Sequence, residues 1–178
     1  MKKLTILTSI ALAICLVFCL CACSQTIEDK LELIESVADA KKVTKTVVVT
    51  DAGIEVYSLT RIAVIGDNVT VQTTVKQLGD GLNVEESADN FTSTKEAETA
   101  KPINLTTDNI AIYDMTDTVL DATVLQQNVA DVLNAEAFVS AGDMNAICTF
   151  DGDKLMKVEC SFMTVGNRSV ALTYVYEY

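Results

Sequence analysis

Apolar residues recur along this chain in two rhythms, and the change of rhythm organises it. Ile27, Leu31, Ile34, Val37 and Ala38 fall at the spacing of a helix, Thr26 with Asp29 forms a capping-box pattern at its start, and Lys41 and Lys42 stand near its expected end. From residue 43 onward Val, Ile and Thr alternate with polar residues at a period of two. That pattern predicts strands over 43–51, 54–65 and 69–78 and a weaker one over 82–90. Ala52-Gly53, Gly66-Asp67-Asn68 and Gly79-Asp80-Gly81 supply the turns. The polar stretch 92–101, closed by Pro102, reads as a loop or a frayed edge. Two further strands, 110–115 and 119–125, form a hairpin around Thr116-Asp117-Thr118, and 126–134 offers Val129, Val132 and Leu133 as one face of a short helix. The chain ends in a meander over 144–150, 155–163 and 168–177, turning at Asp151-Gly152-Asp153 and Val165-Gly166-Asn167.

The first 22 residues follow a different logic: a basic start at Lys2 and Lys3, then an uncharged apolar run from Leu4 to Leu20, as in a secretory signal peptide. The run ends in Leu20-Cys21-Ala22-Cys23, which resembles the lipobox of bacterial lipoproteins, with an aliphatic residue at −3, a small one at −1 and then the lipidated cysteine. Cys15, Cys19 and Cys21 compete for that role, but Ile14, Phe18 and Leu20 before them are too bulky for the small-residue subsite. The resemblance implies a diacylglyceryl thioether on Cys23, cleavage before it, and a single α+β lipoprotein domain over 23–178 held outside the cytoplasm on the bacterial cell membrane. An uncleaved anchor is the alternative, since about 17 to 20 apolar residues can span a bilayer. About three residues separate Cys23 from the start of the helix, a tether of ~10 Å at full extension, so the domain is expected to sit close to the membrane.

Composition then removes whole classes of chemistry. With 178 residues, no His and no Trp, the chain cannot build a Ser/His/Asp or Cys/His catalytic set or an imidazole metal site. Its net charge is −12, and a surface of that sign repels phosphate, which argues against a nucleic-acid partner. Asp151-Gly152-Asp153 lacks the spaced oxygen ligands of a calcium loop, and adjacent acids such as Glu85-Glu86 point to opposite faces of a strand. No catalytic residue, metal site or cofactor is expected, and the protein is read as a non-enzyme.

Nine strands at about 4.8 Å spacing would make an open sheet ~43 Å wide, of which two helices about 10 Å across cover less than half. The sheet must curl. The expected fold is α+β, a curved antiparallel sheet or half-barrel wrapped around one N-terminal helix and one short helix. This order of elements on a lipobox-bearing chain resembles the half-barrel lipoprotein carriers related to LolA and to the mycobacterial LppX and LprG group. That resemblance implies a membrane-anchored protein binding or transferring a lipid-like or apolar ligand. The alternative is a structural or protein-interaction module with a filled core.

The last strand is the most suggestive segment, because Val170, Leu172, Tyr174, Tyr176 and Tyr178 share one face while Thr173 and Glu177 lie on the other. Met144, Phe150, Met156 and Phe162 share a parity within their own strands, which extends an aromatic and Met-rich inner wall. Phe150, Phe162, Tyr174 and Tyr176 are therefore the expected ligand-lining residues, although the same stripe would serve as plain core. Cys148 and Cys160 are a candidate disulfide in an exported chain. A three-residue turn over 151–153 would set Cys148 opposite Met156 and Cys160 opposite Met144, leaving the thiols about 13 Å apart along the strands, beyond the ~7 Å limit for a bridge. Two buried, unpaired thiols are expected.

Overall fold

The computed structural model describes residues 25–35, 37–134 and 139–178. The signal segment 1–22 and Cys23 lie outside the described residues. All nine expected strands form, and they pair into one curved, open antiparallel sheet. They are β1 (Lys42–Asp51), β2 (Ile54–Ile65), β3 (Val69–Leu78), β4 (Val84–Ser93), β5 (Ile110–Met115), β6 (Val119–Val124), β7 (Met144–Asp151), β8 (Lys154–Met163) and β9 (Arg168–Glu177). Their spatial order is β4-β3-β2-β1-β9-β8-β7-β6-β5. The sheet is thus two local meanders, β1 to β4 and β5 to β9, fused where the first strand pairs with the last over Lys42↔Glu177 to Asp51↔Arg168.

Helix α1 (Ile27–Glu35) starts as the capping box requires: Asp29 N–H donates to Thr26 Oγ1 at 3.2 Å, and Thr26 N–H donates to Asp29 Oδ2 at 2.8 Å. It ends earlier than the apolar spacing implies. Val37 and Ala40 are buried in a turn, and by Lys41 the ladder has captured the backbone: Lys41 N–H donates to the Glu177 carbonyl at 2.7 Å, and Ile65 N–H donates to that of Lys41 at 2.8 Å. The buried side of α1 carries Ile27, Ile34 and Lys30. The Lys30 ammonium donates to the Asp117 carbonyl and lies 4.5 Å from the Phe150 ring centroid, which fastens the helix over the β5–β6 turn and the inner face of β7.

Two departures concern the segment 94–109, which carries the chain from the β4 edge to the β5 edge. Strand β4 runs on to Ser93, and a short helix α2 (Lys95–Glu98) follows where a loop was expected, its first turn capped by Thr94 Oγ1 accepting from Ala97 N–H at 3.3 Å. The expected pair of helices is therefore one short of what forms, since α3 (Val129–Leu133) is also present, preceded by a 3-10 turn over Gln126–Asn128 and closed by Asn134 at φ 48°. Beyond α2 the crossing chain buries Ile103 and Leu105, and Asn104 N–H donates to the Val132 carbonyl at 2.7 Å. Helices α1 and α3 and this segment cover the same, inner, face of the sheet.

The third departure is in register. Asp151↔Lys154 closes a tight turn in place of the expected three-residue one, and a bulge between Thr149 and Phe150 leaves Met156 as the extra residue. Past the bulge the inward residues of β8 are Val158, Cys160 and Phe162, so Met156 does not join the inner wall as its parity implied. Cys148 faces Val158 and Cys160 faces Ala146, a diagonal separation of about 7 to 8 Å between Cα atoms. That is closer than the expected ~13 Å yet still outside bridging range, and both thiols are free and buried. Burial pushes the Cys160 thiol up to about 12, and burial plus the neighbouring Cys160 raise that of Cys148 as well. Neither thiol is expected to react with iodoacetamide near pH 8 in the native protein, and both should alkylate once it is unfolded. Intact mass before and after denaturation reads this directly; native labelling at either position would contradict the buried register.

Candidate functional site

The inner face of the sheet is two surfaces in one. A single cross-strand row runs Thr73 (β3), Arg61 (β2), Lys45 (β1), Tyr174 (β9), Val158 (β8), Cys148 (β7) and Leu120 (β6), each in register with the next. From Val158 to Leu120, on β8 to β6, the row is apolar and closed. From Thr73 to Tyr174, on β3 to β1 and β9, it is partly open and carries the polar groups, and β4 at the far edge is exposed along almost its whole length.

The four residues expected to line a ligand space divide along the same boundary. Phe150 and Phe162 are buried in the hydrophobic core, Phe150 against the Lys30 ammonium and Phe162 opposite Val170. Tyr176 is also buried, opposite Val43, while Tyr174 is half-buried opposite Lys45. The structure brings Tyr174 and Tyr176 together at the wall of a cavity of about 260 Å³, and Phe150 and Phe162 do not reach it. Burial, with Tyr174, Tyr178 and Cys148 nearby, raises the Tyr176 phenol well above its ordinary range, so it stays protonated.

The roof of this cavity is the crossing segment, through Ala97, Glu98, Ala100 and Lys101, and its floor is Val43, Lys45, Arg61 and the two tyrosines. Arg61 donates through Nε to Glu98 Oε2 at 3.2 Å and through Nη2 to Glu98 Oε1, a fork-to-carboxylate pair, and its guanidinium carbon stands 5.0 Å from the Phe91 ring centroid. The Glu98 side chain is only 6% exposed. Burial alone would raise its carboxyl, but hydrogen bonds with Arg61 and Ser93 and the Arg61 charge hold it below the usual carboxylate range. Lys101 pairs with Glu35 at 3.0 Å and with Asn104 Oδ1 at 2.9 Å. Lys45 has no carboxylate within ion-pair distance among the described residues; its ammonium stands 5.2 Å from the Tyr174 ring centroid.

A larger concavity, of about 870 Å³, opens at the opposite end of β1. Val49, Val56, Tyr57, Leu78, Val139 and Val165 supply its apolar lining, and Gln77, Thr164 and the Asp51–Arg168 ion pair of 3.2 Å supply a polar lining of similar extent. None of the four expected lining residues reaches it. The sequence does carry a signal for the smaller cavity: in Val43, Lys45, Val47, Val49 and in Leu59, Arg61, Ala63 a cation occupies a register otherwise apolar. Among the described residues no group of acidic or sulfur side chains is arranged to hold a metal ion, and no helix is long and apolar enough to cross a membrane.

No protein-family model and no curated protein matches the chain. A solved structure to which it has some likeness is that of kievitone hydratase from Nectria haematococca, with 10% sequence identity, a TM-score of 0.30, and coverage of 83% of this chain and 51% of the hydratase. The chain therefore spans about half the length of that protein, and a likeness of this degree assigns neither fold nor activity.

Proposed function

We propose that the chain is a membrane-anchored cell-envelope lipoprotein, held by lipid on Cys23, whose half-barrel sheet binds or transfers a lipid-like or apolar ligand. The observation that carries this reading is the uneven cover of the inner face: α1, α3 and segment 94–109 close it over β6 to β8 but leave a concavity of about 870 Å³, lined by both apolar and polar residues, over the far ends of β1, β2 and β3. That volume lies within the range of about 300 to 1,000 Å³ typical of small-molecule sites. The capping box at Thr26 starts the domain about three residues after Cys23, so a tether of ~10 Å holds α1 and the β5–β6 turn near the bilayer, with the concavity at the other end of the strands. The reading assigns the protein no catalytic step and no cofactor.

A second reading, a structural or interaction module with a filled core, is favoured by the closed packing of Phe150, Phe162 and Tyr176. Native mass spectrometry of the protein taken from its own membrane separates the two. A carrier shows a dissociable apolar adduct in addition to the covalent anchor, and saturating lipid at about 100 times Kd raises its stability by about 2.7 kcal/mol. A module shows neither. The anchor is tested in parallel: a clickable fatty acid should label the wild type and not Cys23→Ala, and equal labelling of both would defeat the assignment.

A further inference from the structure

We infer that the 260 Å³ cavity under segment 94–109 is a binding site for a small organic monocarboxylate, with Lys45 as the residue that recognises its charge. This site shares no lining residue with the larger concavity, so it goes beyond the function proposed above and can fail without it.

Charge arrangement is the first ground. Lys45 and Arg61 face each other directly across β1 and β2, and like charges in that relation destabilise a sheet. The chain carries 25 acidic side chains against 13 basic ones, yet around this cavity the balance inverts, with Lys45, Arg61 and Lys101 set against Glu98. Glu98 takes up the Arg61 fork and Glu35 takes up Lys101, which leaves one cation, Lys45, without a carboxylate among the described residues. One positive charge in excess matches a monoanion. A phosphate monoester, near two negative charges at neutral pH, would be left under-compensated.

The walls give the second ground. Apart from the charged groups, the cavity is bordered by Val43, Ala97, Ala100 and the rings of Tyr174 and Tyr176, which suit an apolar or aromatic body behind the carboxylate. Tyr176 is 1% exposed, so its ring forms a fixed inner wall behind the carboxylate. Size is the third. The space equals that of about eight or nine waters at ~30 Å³ each, enough for a small acid and too small for a diacyl lipid.

The test is calorimetric titration of the full chain, in nanodiscs of zwitterionic lipid, with benzoate, octanoate, benzamide and inorganic phosphate. Benzoate or octanoate should bind in one-to-one ratio, and benzamide should bind at least about tenfold more weakly because it lacks the charge. Lys45→Gln should lose about tenfold or more in carboxylate affinity, and Lys45→Arg should retain it, since the charge is kept. Lys157→Gln, on the other face of the sheet, should leave binding unchanged, and circular dichroism confirms that each variant is folded. Nanodiscs containing phosphatidylserine that displace octanoate would assign the carboxylate to a lipid head group; no displacement assigns it to a free acid. The inference is overturned if neither acid binds, if benzamide binds as well as benzoate, or if folded Lys45→Gln binds as the wild type does.

Discussion

Truncating Phe162 to Ala is expected to remove about 3 to 5 kcal/mol of stability, while Tyr174→Ala on the neighbouring strand costs about 1 kcal/mol. Both positions were expected to line one wall, and both are aromatic residues on the inner face. The difference lies in what covers them. Phe162 is closed into the core opposite Val170 on β9, and its removal leaves a cavity that the paired strands on either side cannot collapse. Tyr174 is half-buried and already borders open space, so its truncation enlarges a cavity that exists and chiefly gives up its cation–π contact with Lys45. Urea denaturation of the two variants, compared at constant m-value, decides the matter. Equal losses would mean that the cavity wall is as tightly packed as the core.

The second large effect is expected at Arg61. Arg61→Met removes the fork that neutralises Glu98, and a carboxylate at 6% exposure is left facing the sheet without its cation. Breaking a fully buried pair from one side costs about 3 to 5 kcal/mol, and because the Arg61 side chain is 33% exposed the expected loss here is nearer about 2. Combining it with Glu98→Gln should recover a large part, as the charge needing compensation is gone. The pH dependence follows from the depressed Glu98 carboxyl: the pair contributes fully at neutral pH, above the value an unfolded glutamate has, and its contribution fades as pH falls through the lower, folded value. Wild-type stability should therefore fall more steeply on acidification below about pH 5 than that of Glu98→Gln. Parallel curves for the two proteins would remove Glu98 from the account.

Strand positions were legible because each rests on local chemistry. Alternating Val, Ile and Thr between Gly-, Asp- and Asn-bearing turns needs no distant partner to be read, and the ladder confirms it from β1 to β9. What escaped were features decided between segments. Whether the turn after Phe150 contains two residues or three is a small energetic choice locally, but the bulge it creates moves Met156 off the inner wall and brings Cys148 and Cys160 into diagonal contact. Helix α2 is too short and polar to announce itself, and it forms where Thr94 caps it and Glu98 meets Arg61. The candidate site was half legible for the same reason. Parity placed Tyr174 and Tyr176 inward, but whether an inward residue is core or cavity wall depends on where segment 94–109 comes to rest.

The fusion of the two meanders through β1 and β9 has a consequence for the order in which the molecule can be made. Of these nine strands the last in chain order, β9, occupies the centre of the sheet, between β1 and β8, so its neighbours on both sides wait for it. Until it arrives, β1 exposes an unpaired edge next to Val43, Val47 and Val49, and β8 exposes another next to Cys160 and Phe162. Contacts this distant in sequence make for slow assembly, since the loop entropy is spent before the pairing is gained. A chain stopped before Arg168 would hold two half-sheets with sticky inner edges in place of one folded domain, and such a species is prone to join with others of its kind.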